Sequence, residues 1–162
     1  MFKSLIPSAL LVLALAPAAL AEPVMVKSID VLVDMTAVTN AAAATRFATF
    51  EGDLENALTA RLVDRIAEEG VNVIVDISEV ELSNSFTEAR GLADTRLVGT
   101  VKITDLTNNT NYDAYELTVD VNSEVPFFPV GTDVVTLPVT SEVYYNAMIA
   151  AFANAVVIRL TQ

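Results

Sequence analysis

Between Val26 and Val121 the chain contains four runs in which apolar residues occupy every second position. Ile29, Val31, Val33 and Met35 alternate with Asp30, Leu32 and Asp34. Val71, Val73, Val75 and Ile77 alternate with Asn72, Ile74 and Asp76. Leu97, Val101 and Ile103 share a parity opposite to Thr100, Lys102 and Thr104. Tyr115, Leu117, Val119 and Val121 oppose Glu116, Thr118 and Asp120. Successive side chains of a strand point to opposite faces, so each run is a strand with one apolar and one polar face. A sheet made of such strands buries one side only. The chain is thereby constrained to two layers, a sheet with helices on a single face.

Two segments supply those helices. Phe47, Phe50, Leu54, Leu58, Leu62 and Ile66 recur at steps of three and four, the stripe of an amphipathic helix. "NAAAATRF" leads into it, Gly52 weakens its first turns, and Gly70 is placed to end it as a left-handed cap. Tyr145, Ile149, Phe152, Val156 and Leu160 form a second stripe, widened by Met148 and Ala155, with Thr140 or Ser141 as its cap. Strand, helix and strand in succession predict a parallel crossover. "TNNTN", residues 107–111, has the composition of a hairpin turn. "DVVTLPV", residues 133–139, reads as a short edge strand. The expected fold is α+β, a two-layer α/β sandwich. Its mixed sheet has four or five strands with two helices on one face, in the order β-α-β-β-β-(β)-α.

Ahead of this pattern stands "MFKSLIPSALLVLALAPAALAEP". Lys3 is a basic start, Leu10 to Leu15 an apolar centre, and Ala19-Leu20-Ala21 a small-x-small cleavage signal. That is the layout of a secretory signal peptide. Pro7 and Pro17 interrupt the apolar run, which is short of the ~20 residues that span a bilayer. Residues 1–21 are read as the signal peptide and 22–162 as one α/β domain, soluble in the periplasm or secreted after cleavage near Ala21. Asn146, Asn154 and Arg159 argue against the C-terminal helix as a membrane span. The chain has no cysteine, so neither disulfides nor a lipidated N-terminal thiol enter the reading. Its formal charge of −12 becomes about one unit more negative when Lys3 leaves. Such a charge repels nucleic acid and anionic membranes and suits solubility or a basic partner.

The chemistry is bounded by what is missing. Without any histidine there is no Ser-His-Asp triad, no imidazole metal ligand and no usual base near neutral pH. Lys27 and Lys102 are the only lysines beyond the leader, and neither lies in a nucleophile motif for Ser–Lys chemistry. Asp34 and Asp76 are predicted at similar ends of adjacent strands, where paired carboxylates perform acid–base work in hydrolases. Alternating aspartates on an open sheet face are more often plain solvated surface. No glycine loop for phosphate is present.

Two loops carry sharper signals. In "DLTNNTNYDAYE", Asp105, Thr107, Asn109, Asn111, Asp113 and Glu116 fall at positions one, three, five, seven, nine and twelve of a calcium loop. The sixth position, which requires glycine, holds Thr110, and the flanks are strands. Strand parity sends Asp105 and Glu116 to opposite faces. A hairpin, with at most weak calcium binding at its tip, is the expectation. In "PFFPVG", Phe127 and Phe128 either plug one end of the core or form an aromatic contact site; the core plug is expected.

"ADTRLVGTVKITDL" resembles the small-Asp-x-x-apolar-x-Gly-x-apolar start of a hairpin in small envelope domains. These include the N-terminal domain of the translocation protein TolB and the CsgG-type assembly proteins. "MIAAFANAVVIRL" is similar to their closing helix. The resemblance implies an envelope binding or assembly module without catalytic residues. The functional expectation is an exported periplasmic binding or envelope-assembly accessory that is not an enzyme. It would have no cofactor, no metal and no nucleic-acid partner, and its partner would be another envelope protein. Two alternatives stand beside it: a carboxylate-dependent exported hydrolase, and a weak calcium or small-molecule binder.

Overall fold

The computed structural model describes residues 23–33, 45, 47–77, 96–108, 112–134, 136–137 and 141–161. The signal-peptide segment, Asp34, Met35, the connection through Gly91 and the tip residues Asn109 to Asn111 lie outside them. Four strands form one sheet in the spatial order β1-β2-β3-β4: β1 (Val26–Val33), β2 (Val71–Ile77), β3 (Arg96–Thr104) and β4 (Asp113–Asp120). β1 and β2 are parallel, and the other two pairs are antiparallel. Helix α1 (Phe50–Arg61) joins β1 to β2. A four-residue helix α2 (Val121–Glu124) follows β4, and α3 (Glu142–Leu160) closes the fold. The fold is α+β, a mixed four-stranded sheet with two main helices packed against it. A fifth strand at 133–139 is not present among the described residues. Thr136 instead turns back through its hydroxyl to the Asp133 side chain at 3.0 Å.

Register confirms the alternation. Val31, Val75, Val101 and Tyr115 form one row across the inner face, with Ile29, Val73 and Ile103 beside it. Val31, Val73, Val75, Val101, Leu97 and Val119 are buried, and β-branched side chains fit such a pleated surface well. A register shift between Val26 and Ser28 resets the parity of β1. Val26 therefore faces inward together with the odd-numbered residues that follow it, and it is fully buried.

α1 is shorter than its stripe implied. Phe50, Leu54 and Leu58 are buried, and Leu62 closes the helix with a shared bond to Leu58 and Thr59. Ile66 has left the stripe. It forms an isolated parallel bridge with Val26 and is exposed. The reason is competition: Ala67 N–H donates to Val26 O and Val71 N–H to Met25 O, both at 2.9 Å. These bonds to the start of β1 replace continued helix. Gly70 is accordingly no helix cap. It has φ +153°, and a Cβ there would stand 2.4 Å from the Met25 carbonyl oxygen. Glycine is needed because the two backbones nearly touch.

α3 starts at Ser141, whose hydroxyl accepts from Tyr144 N–H at 3.2 Å. Its length and composition would also suit a membrane span. Here Tyr145, Met148, Ile149, Phe152, Val156 and Leu160 are buried in the core. Gly99 lets α3 approach β3, since a Cβ would lie 3.0 Å from the Phe152 ring and 2.7 Å from Ile77 Cδ1. α1 and α3 meet through Tyr145, whose ring is edge-on to Phe50 at 6.1 Å. The Tyr145 hydroxyl donates to Asp53 at 2.7 Å.

Candidate functional site

Both main helices lie on the inner face, and among the described residues no element covers the outer face of the sheet. Asp30, Asp76, Thr100, Lys102, Glu116 and Thr118 are exposed there, and Leu32 is 52% exposed. The ladder arranges them in rows. Leu32, Asp76, Thr100 and Glu116 are successive partners across all four strands. Asp30, Ile74, Lys102 and Ala114 form the neighbouring row. Because the strands are about 4.8 Å apart, the rows make a continuous surface about four strands wide, polar except at Leu32, Ile74 and Ala114. Three acids, Asp30, Asp76 and Glu116, share it with Lys102.

Of the carboxylate pair weighed for a hydrolase, only Asp76 lies among the described residues. Asp76 is exposed on this open face, with Leu32 and Thr100 as its ladder neighbours. Asp34 lies outside the described residues. Lys102 stands between Ile74 and Ala114, and Lys27 lies at the irregular start of β1. Among the described residues neither lines a recess together with a serine.

The loop with calcium-like spacing is a hairpin connection between β3 and β4. Asp105 Oδ1 accepts from Thr107 N–H at 2.8 Å, the Thr107 hydroxyl at 2.7 Å and Asn108 N–H at 3.0 Å. This side-chain turn mimics a backbone turn. Asp113 faces inward and accepts from Arg159 Nε at 3.2 Å, whereas Glu116 faces outward. The acids at positions nine and twelve of the loop therefore point to opposite sides of the sheet. Among the described residues no group of three or more acids could hold a metal ion.

Arg159 also lies over the Tyr115 ring, 5.2 Å from its centre. The Tyr115 hydroxyl is buried without a hydrogen-bond partner. Burial and the nearby Asp113 charge push its pKa up to about 12, opposed by Arg159. A recess of about 160 Å³ between Ile103, Tyr112, Asp113 and Arg159 opens beside it. A second of about 160 Å³ lies between Lys27, Glu69, Asn72 and Asp105. Both fall below the roughly 300–1,000 Å³ of typical small-molecule sites.

Phe127 and Phe128 are partly buried and pack against the core, as a plug. Phe128 tilts onto Tyr144 at 6.4 Å between ring centres. The same segment contains a residue that sequence reasoning passed over. Glu124, the last residue of α2, is 0% exposed, and neither carboxylate oxygen has a hydrogen-bond partner of ordinary geometry. Loss of hydration raises its pKa to about 8. The Tyr144 hydroxyl is close enough to oppose this, and the Asp120 charge adds to it. Asp120 itself is held below the usual carboxylate range, first by the Ser123 N–H and then by the Ser123 hydroxyl. Those bonds, at 2.9 and 2.8 Å, start the short helix. The one sequence signal was this Asp-x-x-Ser spacing, which marks a turn but does not say which way Glu124 points.

No family model and no curated protein matches the chain. Among solved structures it is similar to a "putative lipoprotein" from Caulobacter crescentus CB15. The identity is 13%, the match covers 82% of this chain and 86% of that one, and the TM-score is 0.36. A likeness at that level carries no argument about this chain's function.

Proposed function

We propose that this is an exported binding or assembly accessory of the bacterial envelope, without catalysis of its own, that meets its partner through the open sheet face. The observation that carries this reading is the one-sided sheet. The row from Leu32 to Glu116 crosses all four strands, and both main helices lie on the other side. Polar side chains there keep the face soluble, while half-exposed Leu32 and partly buried Ile74 and Val98 give it apolar contact area. With Asp30, Asp76 and Glu116 around Lys102, the face suits a polar partner bearing basic groups. The leader-like N-terminus supports export, and the resemblance to TolB-type and CsgG-type domains points to the same compartment.

Photocrosslinking tests the reading. A crosslinker at Thr100 or Glu116 should give one discrete adduct in intact cells, and one at Thr59, on the exposed side of α1, should give none. Equal labelling from both sides, or none from the sheet, would refute it. Mass spectrometry of the exported protein should find an N-terminus at Glu22.

A further inference from the structure

We propose that Val121–Phe128 is a proton-operated latch: neutral Glu124 holds the segment against α3, and ionised Glu124 releases it with its phenylalanine plug. The geometry is specific. Glu124 is 0% exposed and neither oxygen has a hydrogen bond of ordinary geometry, so a charge placed there has only the nearby Tyr144 hydroxyl to stabilise it. Among the described side chains, those facing it offer no cation. Asp120 at the end of β4 repels a second negative charge, and Tyr144 on α3 presents only a hydroxyl. Arg96 is the ladder partner of Asp120, one strand further away. Within α2 and the turn after it, residues 121–127 include no other titratable side chain.

The segment is one short helix followed by one turn. α2 has only four residues and is anchored at its start by Asp120. A single 3-10 turn (Val125–Phe127) follows, closed by Phe128 N–H to Val125 O at 3.3 Å. Pro126 and Pro129 stiffen its ends. Val125 is 52% exposed and Val130 is fully exposed, while Phe127 and Phe128 are the partly buried rings that release would free. Once freed, the two rings join Val125 and Val130 in one apolar patch. Burial raises the pKa of Glu124 to about 8, so release is drawn on as pH rises toward that value.

Amide NMR of the full chain between pH 5.5 and 9 tests the latch. The Ser123 and Phe128 amide signals should leave their native positions as pH rises. For one proton the change should run from about 10% to about 90% over roughly two pH units. Val73 and Val75 in β2 should keep native shifts throughout. In Glu124→Gln the segment signals should stay native across the range, and Glu124→Leu should repeat this if the amide disturbs packing. Segment signals that stay native in the parent chain through pH 9, or that depart together with those of β2, would overturn the proposal. So would an unchanged transition in both variants.

Discussion

Replacing Glu124 by glutamine tests the energetics of the buried acid. The perturbation keeps the shape and removes the titration. An ordinary glutamate has a pKa of 4.5, and burial raises this one to about 8 in the folded chain. Between those values the folded state keeps a proton that the unfolded state has lost. Stability therefore falls as pH rises, by at most about 1.4 kcal/mol per unit for one group. The contribution is complete below about pH 4.5 and gone by about pH 8. Its span is of order 5 kcal/mol, and about 3 kcal/mol has already been lost at pH 7. That is a large part of the 5–15 kcal/mol typical of a domain. Opening of the latch would end the decline early, because it lets the carboxylate reach water without global unfolding. Urea unfolding followed by far-ultraviolet circular dichroism should be run at each pH unit from 5 to 9. Parent minus Glu124→Gln stability should decline from pH 5 to 7 by about 1 kcal/mol per unit or slightly more. Any constant cost of seating an amide shifts this difference without altering its slope. Asp120 does not confuse the window. Its lowered pKa contributes stability that is lost only as pH falls through a value below 3.8. A difference that stays flat from pH 5 to 7 would refute the reasoning.

Other expectations follow from single contacts. Gly99→Ala should destabilise by about 1–3 kcal/mol in urea unfolding, since its Cβ collides with Ile77 and crowds Phe152. Ser141→Ala should cost about 1 kcal/mol through loss of the α3 cap. Arg159→Ala should change stability by less than ~1 kcal/mol, because its contact with Asp113 is half-exposed, and added salt should shrink even that. Calcium titrated into the chain should give no heat and no thermal shift, because Asp105 and Asp113 already serve the hairpin turn and Arg159; a saturable heat would reverse that reading.

Particular elements show how far the sequence could be read. The strands were legible because alternation is a local property that survives whatever packs on it, and Glu116 faces outward as its parity requires. The length of α1 was not legible. Its stripe continues through Leu62 to Ile66, yet the backbone at 66–71 bonds to β1, a partner about forty residues earlier. Gly70 looked like a helix cap for the same reason. The phenylalanine plug follows from its apolar character, but nothing beyond the Asp-x-x-Ser turn spacing marks the acid beside it, and that spacing does not say which way Glu124 points.

Alone, the sequence determined the export-like leader, the four half-apolar strands, the two helical stripes and the exclusion of histidine and cysteine chemistry. These follow from composition and from periods of two and 3.6 residues, which need no knowledge of distant neighbours. The tertiary structure decided where α1 stops, why Gly70 and Gly99 must be glycine, and that Glu124 lies inside. Each depends on a close approach between segments remote in the chain, and burial of a charge-bearing group is a property of what surrounds it.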